Sequence, residues 1–89
     1  IQKVVSEYFQ MDVDTLQSKT RKRHIVQARQ LAMFFAKKFT KASLASIGSQ
    51  IGQRDHATVL HACKTVDNLS STDKQFRKYV EDLNKKLTL

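Results

Sequence analysis

The sequence contains no proline, only two glycines (Gly48 and Gly52), a single cysteine (Cys63), and eight acidic residues against sixteen lysines and arginines. Each shortage excludes something. One cysteine cannot form an internal disulfide and cannot build a thiol-based zinc site. Two glycines leave no room for a glycine-rich, Walker-type phosphate loop. The lack of proline, with abundant Lys, Gln, Ala and Leu, is the composition of helices. No apolar run is long enough to span a bilayer, and no signal-peptide pattern is present. The chain is expected to be a piece of a longer protein, because a helical pattern is already under way at Ile1.

Eighty-nine residues make one small domain, expected to span the whole of 1–89, and leave little scope for a large enzymatic cleft. The scarcity of acid leaves a net charge of +8. That favours a polyanionic partner, nucleic acid before an anionic membrane surface, without choosing between them.

Helical periodicity runs through most of the chain. Ile1, Val4, Val5, Tyr8 and Phe9 share one face of a first helix over 1–9, and Asp12 is placed to cap a short second one reaching Ser18. Lys19-Thr20-Arg21-Lys22-Arg23-His24 has no apolar member and will not pack into a core. A solvated loop is the plain reading of such a run. Its fixed place, directly before the longest helical pattern, favours an arm that reaches into phosphates or a minor groove.

Ile25, Ala28, Leu31, Ala32, Phe35, Ala36 and Phe39 form the apolar stripe of a central core helix over 25–40. Ser43 caps the next helix, with Leu44, Ile47 and Ile51 inward. Gly48 lets a neighbouring helix come close, and Gly52 supplies a sharp turn. Asp55 then caps a helix reaching about Leu69, with Val59, Ala62, Cys63, Val66 and Leu69 facing the core. Thr72 and Gln75 read as a capping box for a last helix to about Leu87. The expected fold class is all-α, about six helices with an embedded helix-turn-helix similar to the Trp repressor.

Three histidines and a cysteine invite a search for catalysis or metal. His56 and His61 are five apart and diverge by about 140° on a helix, unlike the four-residue spacing that aims two imidazoles at one zinc. No Ser or Cys has a base at a recognisable spacing. No catalytic and no metal-binding residue is assigned, and Cys63 reads as a small apolar residue.

DNA recognition accounts for more residues. A helix N-terminus brings its dipole and unpaired N–H groups to phosphates while first-turn side chains reach base edges. Asp55 can accept from a cytosine amino group, His56 can donate or accept at a base edge, and the Ala57 methyl can meet a thymine methyl. Asp55 also reads as a cap and nothing more; the two roles can coexist, because a carboxylate has two oxygens.

Arg29-Gln30-Leu31-Ala32-Met33, Leu44-x-x-Ile47-Gly48 and Arg54-Asp55-His56-x-Thr58-Val59-x-His61-Ala62 together resemble the C-terminal DNA-binding domain of the bacterial chromosomal replication initiators, the DnaA family. The resemblance covers nearly the whole chain. It implies a helix-turn-helix that recognises replication-origin boxes in double-stranded DNA, with Asp55, His56 and Ala57 as major-groove readers and Arg21 in the adjacent minor groove. Lys22, Arg23, Arg29, Gln30, Lys37, Leu44 (through its backbone) and Thr58 are then expected at phosphates.

The resemblance also implies a cytoplasmic, nucleoid-associated protein whose partners include replication-regulatory proteins and acidic phospholipids. This fragment is expected to be monomeric and without a cofactor, since ATP would bind a preceding domain that is absent here. Three departures stand out: Ala57 replaces the family's usual Thr, Ala28 a common proline, and Gln53 a usual glycine in the turn. A helical protein-interaction or anionic membrane-surface module is the competing reading.

Overall fold

Backbone hydrogen bonding in a computed structural model, which describes residues 1–88, gives six α-helices and, among those residues, no strand. They are α1 (Gln2–Tyr8), α2 (Val13–Gln17), α3 (Arg23–Phe39), α4 (Leu44–Gln50), α5 (His56–Thr72) and α6 (Lys74–Thr88). The all-α class and the six helices match the sequence expectation.

Side chains set the helix starts. Thr15 N–H donates to Asp12 Oδ1 (2.7 Å) at α2, and Ser46 N–H to Ser43 Oγ (3.1 Å) at α4. At α5, Thr58 N–H donates to Asp55 Oδ1 (2.9 Å). Each bond satisfies a donor that a first turn leaves without an intrahelical partner.

Two boundaries differ from the sequence reading. Helix α3 begins at Arg23 rather than Ile25, taking the end of the basic run into its first turn; the Lys22 carbonyl accepts from Ile25 N–H (3.1 Å) and Val26 N–H (2.9 Å). Ala28 keeps the backbone N–H that a proline would lack, so nothing at that position opposes the earlier start.

The second difference lies at the α5–α6 junction. The Thr72–Gln75 capping box does not form: α5 runs on to Thr72, and Asp73 caps α6 by accepting from Phe76 N–H (3.2 Å). Thr72, Ser71 and Ser70 instead donate their hydroxyls to the carbonyls four residues back. Arg77 donates to the Ser70 and Ser71 carbonyls (2.9 and 3.2 Å), satisfying the end of α5 from outside.

Helix α3 is the centre. It packs most extensively against α5 and also touches α1, α2 and α4, while α6 closes the far side against α5 and α1. Leu31, Ala32, Met33 and Phe35 of α3 are buried with Leu16, Ile47, Ile51, Val59, Val66, Phe76 and Leu83. The hydrophobic gain from these side chains comes from removing apolar area from water.

Phe39, expected on the core stripe, is 38% exposed. It ends α3 beyond the packed neighbours and stacks on Phe35 (5.8 Å between centroids) with the Lys38 ammonium 5.5 Å from its ring. On the other edge, Tyr8 Oη donates to Asp82 Oδ2 (2.8 Å) and ties α1 to α6. Desolvation, then that carboxylate, push the Tyr8 phenol up to about 12.

Candidate nucleic-acid interface

The turn between α4 and α5 is built by two glycines and one strained residue. The Gly48 carbonyl accepts from Arg54 N–H (2.7 Å), and a Cβ on Gly48 would run into the Arg54 carbonyl. Gly52 has φ +76°, and a Cβ there would meet both the Arg54 guanidinium and the Gln17 carbonyl. Gln53 follows with φ 56°, a left-handed conformation that costs a side chain with a Cβ. The close approach lets α5 leave α4 at once with its first turn in solvent.

That first turn is open. Asp55, His56, Ala57 and Thr58 are all exposed, whereas Val59 is fully buried one residue later. Asp55 Oδ1 accepts from the Thr58 amide and from its hydroxyl (2.8 Å), leaving Oδ2 with no protein donor among the described residues. The Thr58 backbone bond, then its hydroxyl, hold the Asp55 carboxyl below its ordinary range. The cap and a free acceptor thus reside on one carboxylate, as its two oxygens permit.

The net positive charge comes from one segment. Lys19, Arg21, Lys22, Arg23, Arg29, Lys37, Lys38 and Lys41 fall within residues 19–41, which contain no Asp or Glu. Arg21, Lys22, Arg23 and Lys37 are exposed. Helix α3 starts without a side-chain cap and without an acid in its first turn, so its dipole and Arg23 add instead of cancelling. An arriving anion relieves both.

Arg29 is largely buried. Only 8% exposed, it points inward, where Nε donates to the Leu16 carbonyl (3.0 Å) and Nη2 to the Ser18 and Thr20 carbonyls. Nε and Nη2 are thus engaged by carbonyls, while Nη1 donates to no acceptor among the described residues. Burial, then the charge of Arg54, disfavour its protonated form.

Arg54 had no role of its own in the sequence reading and is the residue most clearly missed there. Its Nη1 donates to the Ile51 carbonyl (2.6 Å) and the Gln17 carbonyl (3.2 Å), and its Nη2 to the Ser18 carbonyl (2.7 Å). Gln17 and Ser18 are 37 and 36 positions away. No local pattern could have announced those partners.

A shallow concavity of about 110 Å³ brings Gln30 of α3 beside Thr58 and His61 of α5, with Arg29 and Arg54 at its wall. His61 was also missed as a neighbour of Gln30; its exposed position on α5 was the available signal. Leu44, partly buried, supplies the first amide of α4 at the open end of that helix. Cys63 is half-buried, its thiol pushed up by burial and by Asp67 against the opposing pull of Lys37. Among the described residues no three His, Cys, Asp or Glu side chains converge as a metal site would require, and no helix is long and apolar enough to cross a membrane.

Residues 1–66 match the family described as "Bacterial dnaA protein helix-turn-helix". Over all 89 residues the chain is 81% identical to the chromosomal replication initiator protein DnaA of Flavobacterium psychrophilum, of which it spans 19%. It is 48% identical over 83 residues, 93% of its length, to the protein of that name in Bacteroides thetaiotaomicron, of which it spans 18%. To the one in Wolbachia pipientis wMel it is 49% identical over 85 residues, 96% of the chain and 18% of that protein.

Proposed function

This chain belongs to the bacterial DnaA helix-turn-helix family, and we propose from it that the domain binds double-stranded DNA sequence-specifically at replication-origin boxes, in the initiation of chromosome replication. The observation that carries the reading is the joint placement of an exposed reading turn and a basic arm. Arg54, the residue before the Asp55 cap, is hydrogen-bonded to the carbonyls of Gln17 and Ser18, from which the arm departs. Major- and minor-groove elements would approach the duplex together.

In this reading α5 enters the major groove by its first turn. Asp55 offers Oδ2 to a base amino group, His56 reads a base edge, and Ala57 meets a thymine methyl. Arg21 enters the neighbouring A·T-rich minor groove, where a narrow groove concentrates negative potential. Lys22, Arg23, Gln30, Lys37, the Leu44 amide and Thr58 meet phosphates and set the register. Arg29 would reach a phosphate only through Nη1, since its Nε and Nη2 already donate to carbonyls. The domain works as a non-enzymatic binding module, without a cofactor of its own, on the nucleoid in the cytoplasm. Family membership favours this over the interaction or membrane-surface module.

Salt and sequence together test it. With about five to eight phosphate contacts, log affinity is expected to fall against log salt with a slope of about −4.5 to −7. Preference for an origin box over a scrambled duplex is expected to survive at moderate salt. Equal affinity for the two duplexes in a fluorescence-anisotropy titration would refute the origin-binding reading.

A further inference from the structure

Two arginines with no carboxylate partner among the described residues meet at the root of the basic arm. Arg54 comes from the turn before α5 and Arg29 from the first half of α3, and both donate to one acceptor, the Ser18 carbonyl. Their other acceptors include the Leu16 and Gln17 carbonyls, the last of α2, and the Thr20 carbonyl inside the arm. A five-residue helix leaves such carbonyls unpaired, and its negative end favours cations. Two like charges are thereby held together by a helix terminus and a loop.

The clamp has a shape requirement. Arg54 spans from the Ile51 carbonyl, within the turn, to Ser18 by using both terminal nitrogens of one planar fork. A lysine ammonium is a single point on a flexible stem and does not bridge two acceptors held apart in this way. Gly52 leaves room for the fork, since a Cβ there would meet the Arg54 guanidinium as well as the Gln17 carbonyl.

We propose that Arg54 and Arg29 are positioning residues that lock the arm over residues 19–22 to the reading helix, so that Arg21 and His56 meet DNA as one rigid unit. This rests on the DNA-binding reading above. Arg21 lies three residues beyond the shared Ser18 anchor, close enough for the anchor to set its reach. Without the clamp the arm would be ordered only on binding, and that entropy would be subtracted from affinity. The loss would fall on the minor-groove contact and leave general phosphate attraction in place.

A double-mutant cycle on the chain isolates this coupling. Arg54→Lys is expected to weaken binding to an origin box about five- to twentyfold, the lower part of the range for a lost base-reading arginine, and to leave scrambled-duplex affinity within about twofold. In an Arg21→Ala background the same substitution is expected to cost less than about twofold. A loss undiminished by Arg21→Ala overturns the proposal.

A readout without DNA separates the clamp from the functional reading. Trypsin needs locally unfolded backbone, so cleavage after Lys19, Arg21 and Lys22 is expected to be faster when the arm detaches. Arg54→Lys and Arg29→Lys are each expected to speed cleavage there several-fold with the thermal midpoint held within a few degrees; unchanged cleavage overturns the clamp. If Arg54→Lys fails to fold, Arg29→Lys is read in both assays against the same expectations. Wild-type failure to distinguish box from scrambled duplex would instead remove the DNA reading and leave the cleavage result to stand or fall alone.

Discussion

Asp55 and Thr58 form a closed pair in which one carboxylate oxygen takes both the amide (2.9 Å) and the hydroxyl (2.8 Å) of the residue three positions on. The carboxyl is held below its ordinary range by those bonds. A depressed folded-state value means stability present above the unfolded pKa of about 4 and lost as pH falls through the lower folded value. Asp55→Ala is therefore expected to have a lower thermal midpoint than wild type at pH 7, with the gap narrowing as pH falls from 4 toward 2. Asp55→Ser, which keeps a capping oxygen, is expected to recover most of the pH 7 midpoint while still losing box discrimination. Thermal melts across pH, beside anisotropy titrations, check both.

Tyr8 makes the opposite prediction at high pH. Its phenol is raised to about 12 by burial and by Asp82. A raised value means stability fully present below the unfolded pKa of about 10 and lost as pH rises from there through about 12. Tyr8→Phe is expected to be less stable than wild type at pH 8 and to show no corresponding loss from this position between pH 10 and 12. Denaturant titrations at pH 8, 10 and 11.5 would show whether the two curves converge.

The turn has one improvable position and two that are closed. Gln53 holds φ 56° with a side chain, so Gln53→Gly is expected to stabilise the domain by about 0.5–1 kcal/mol. Gly48→Ala is expected to destabilise it by about 1–3 kcal/mol, because the added Cβ would displace the Arg54 backbone. Urea midpoints of the two variants should move in opposite directions; movement in the same direction would contradict this account of the turn.

Base reading and phosphate attraction should separate by substitution. His56→Ala is expected to cost about 1–3 kcal/mol on an origin box and much less on scrambled DNA. Lys37→Ala is expected to weaken both duplexes and to reduce the salt slope by about one. Equal losses on both duplexes for His56→Ala would reduce it to a structural residue.

Arg21 and Ala57 test the two ends of the readout. Arg21→Ala should hurt most at the A·T-rich end of the box, and a series with that end substituted would reveal it. Ala57→Thr adds a hydroxyl at an exposed position of α5 while keeping a methyl. Tighter box binding with unchanged scrambled-duplex binding is expected, and equal tightening on both would indicate a phosphate contact instead.

Local information was enough for most of this architecture. Apolar spacing located the core of α3 and α5, and the capping side chains Asp12, Ser43 and Asp55 marked three helix starts, because a cap acts over three residues and is written in three residues. Gly48 and Gly52 announced the turn for the same reason. The charge concentrated before α3 and the exposed run from Asp55 to Thr58 were likewise legible as a place where an anion could be met. What the sequence could not decide were contacts whose partners lie far along the chain. The α5–α6 junction depended on Arg77 reaching back to the Ser70 and Ser71 carbonyls, so the capping box was read one residue early. Arg29 looked like one more cation on a polar helix face, and Arg54 like part of a motif. Only the tertiary placement of the end of α2 beside α3 and the α4–α5 turn brought unpaired carbonyls within reach of both guanidiniums, since a buried donor goes where an acceptor needs it, whatever its neighbours in sequence suggest.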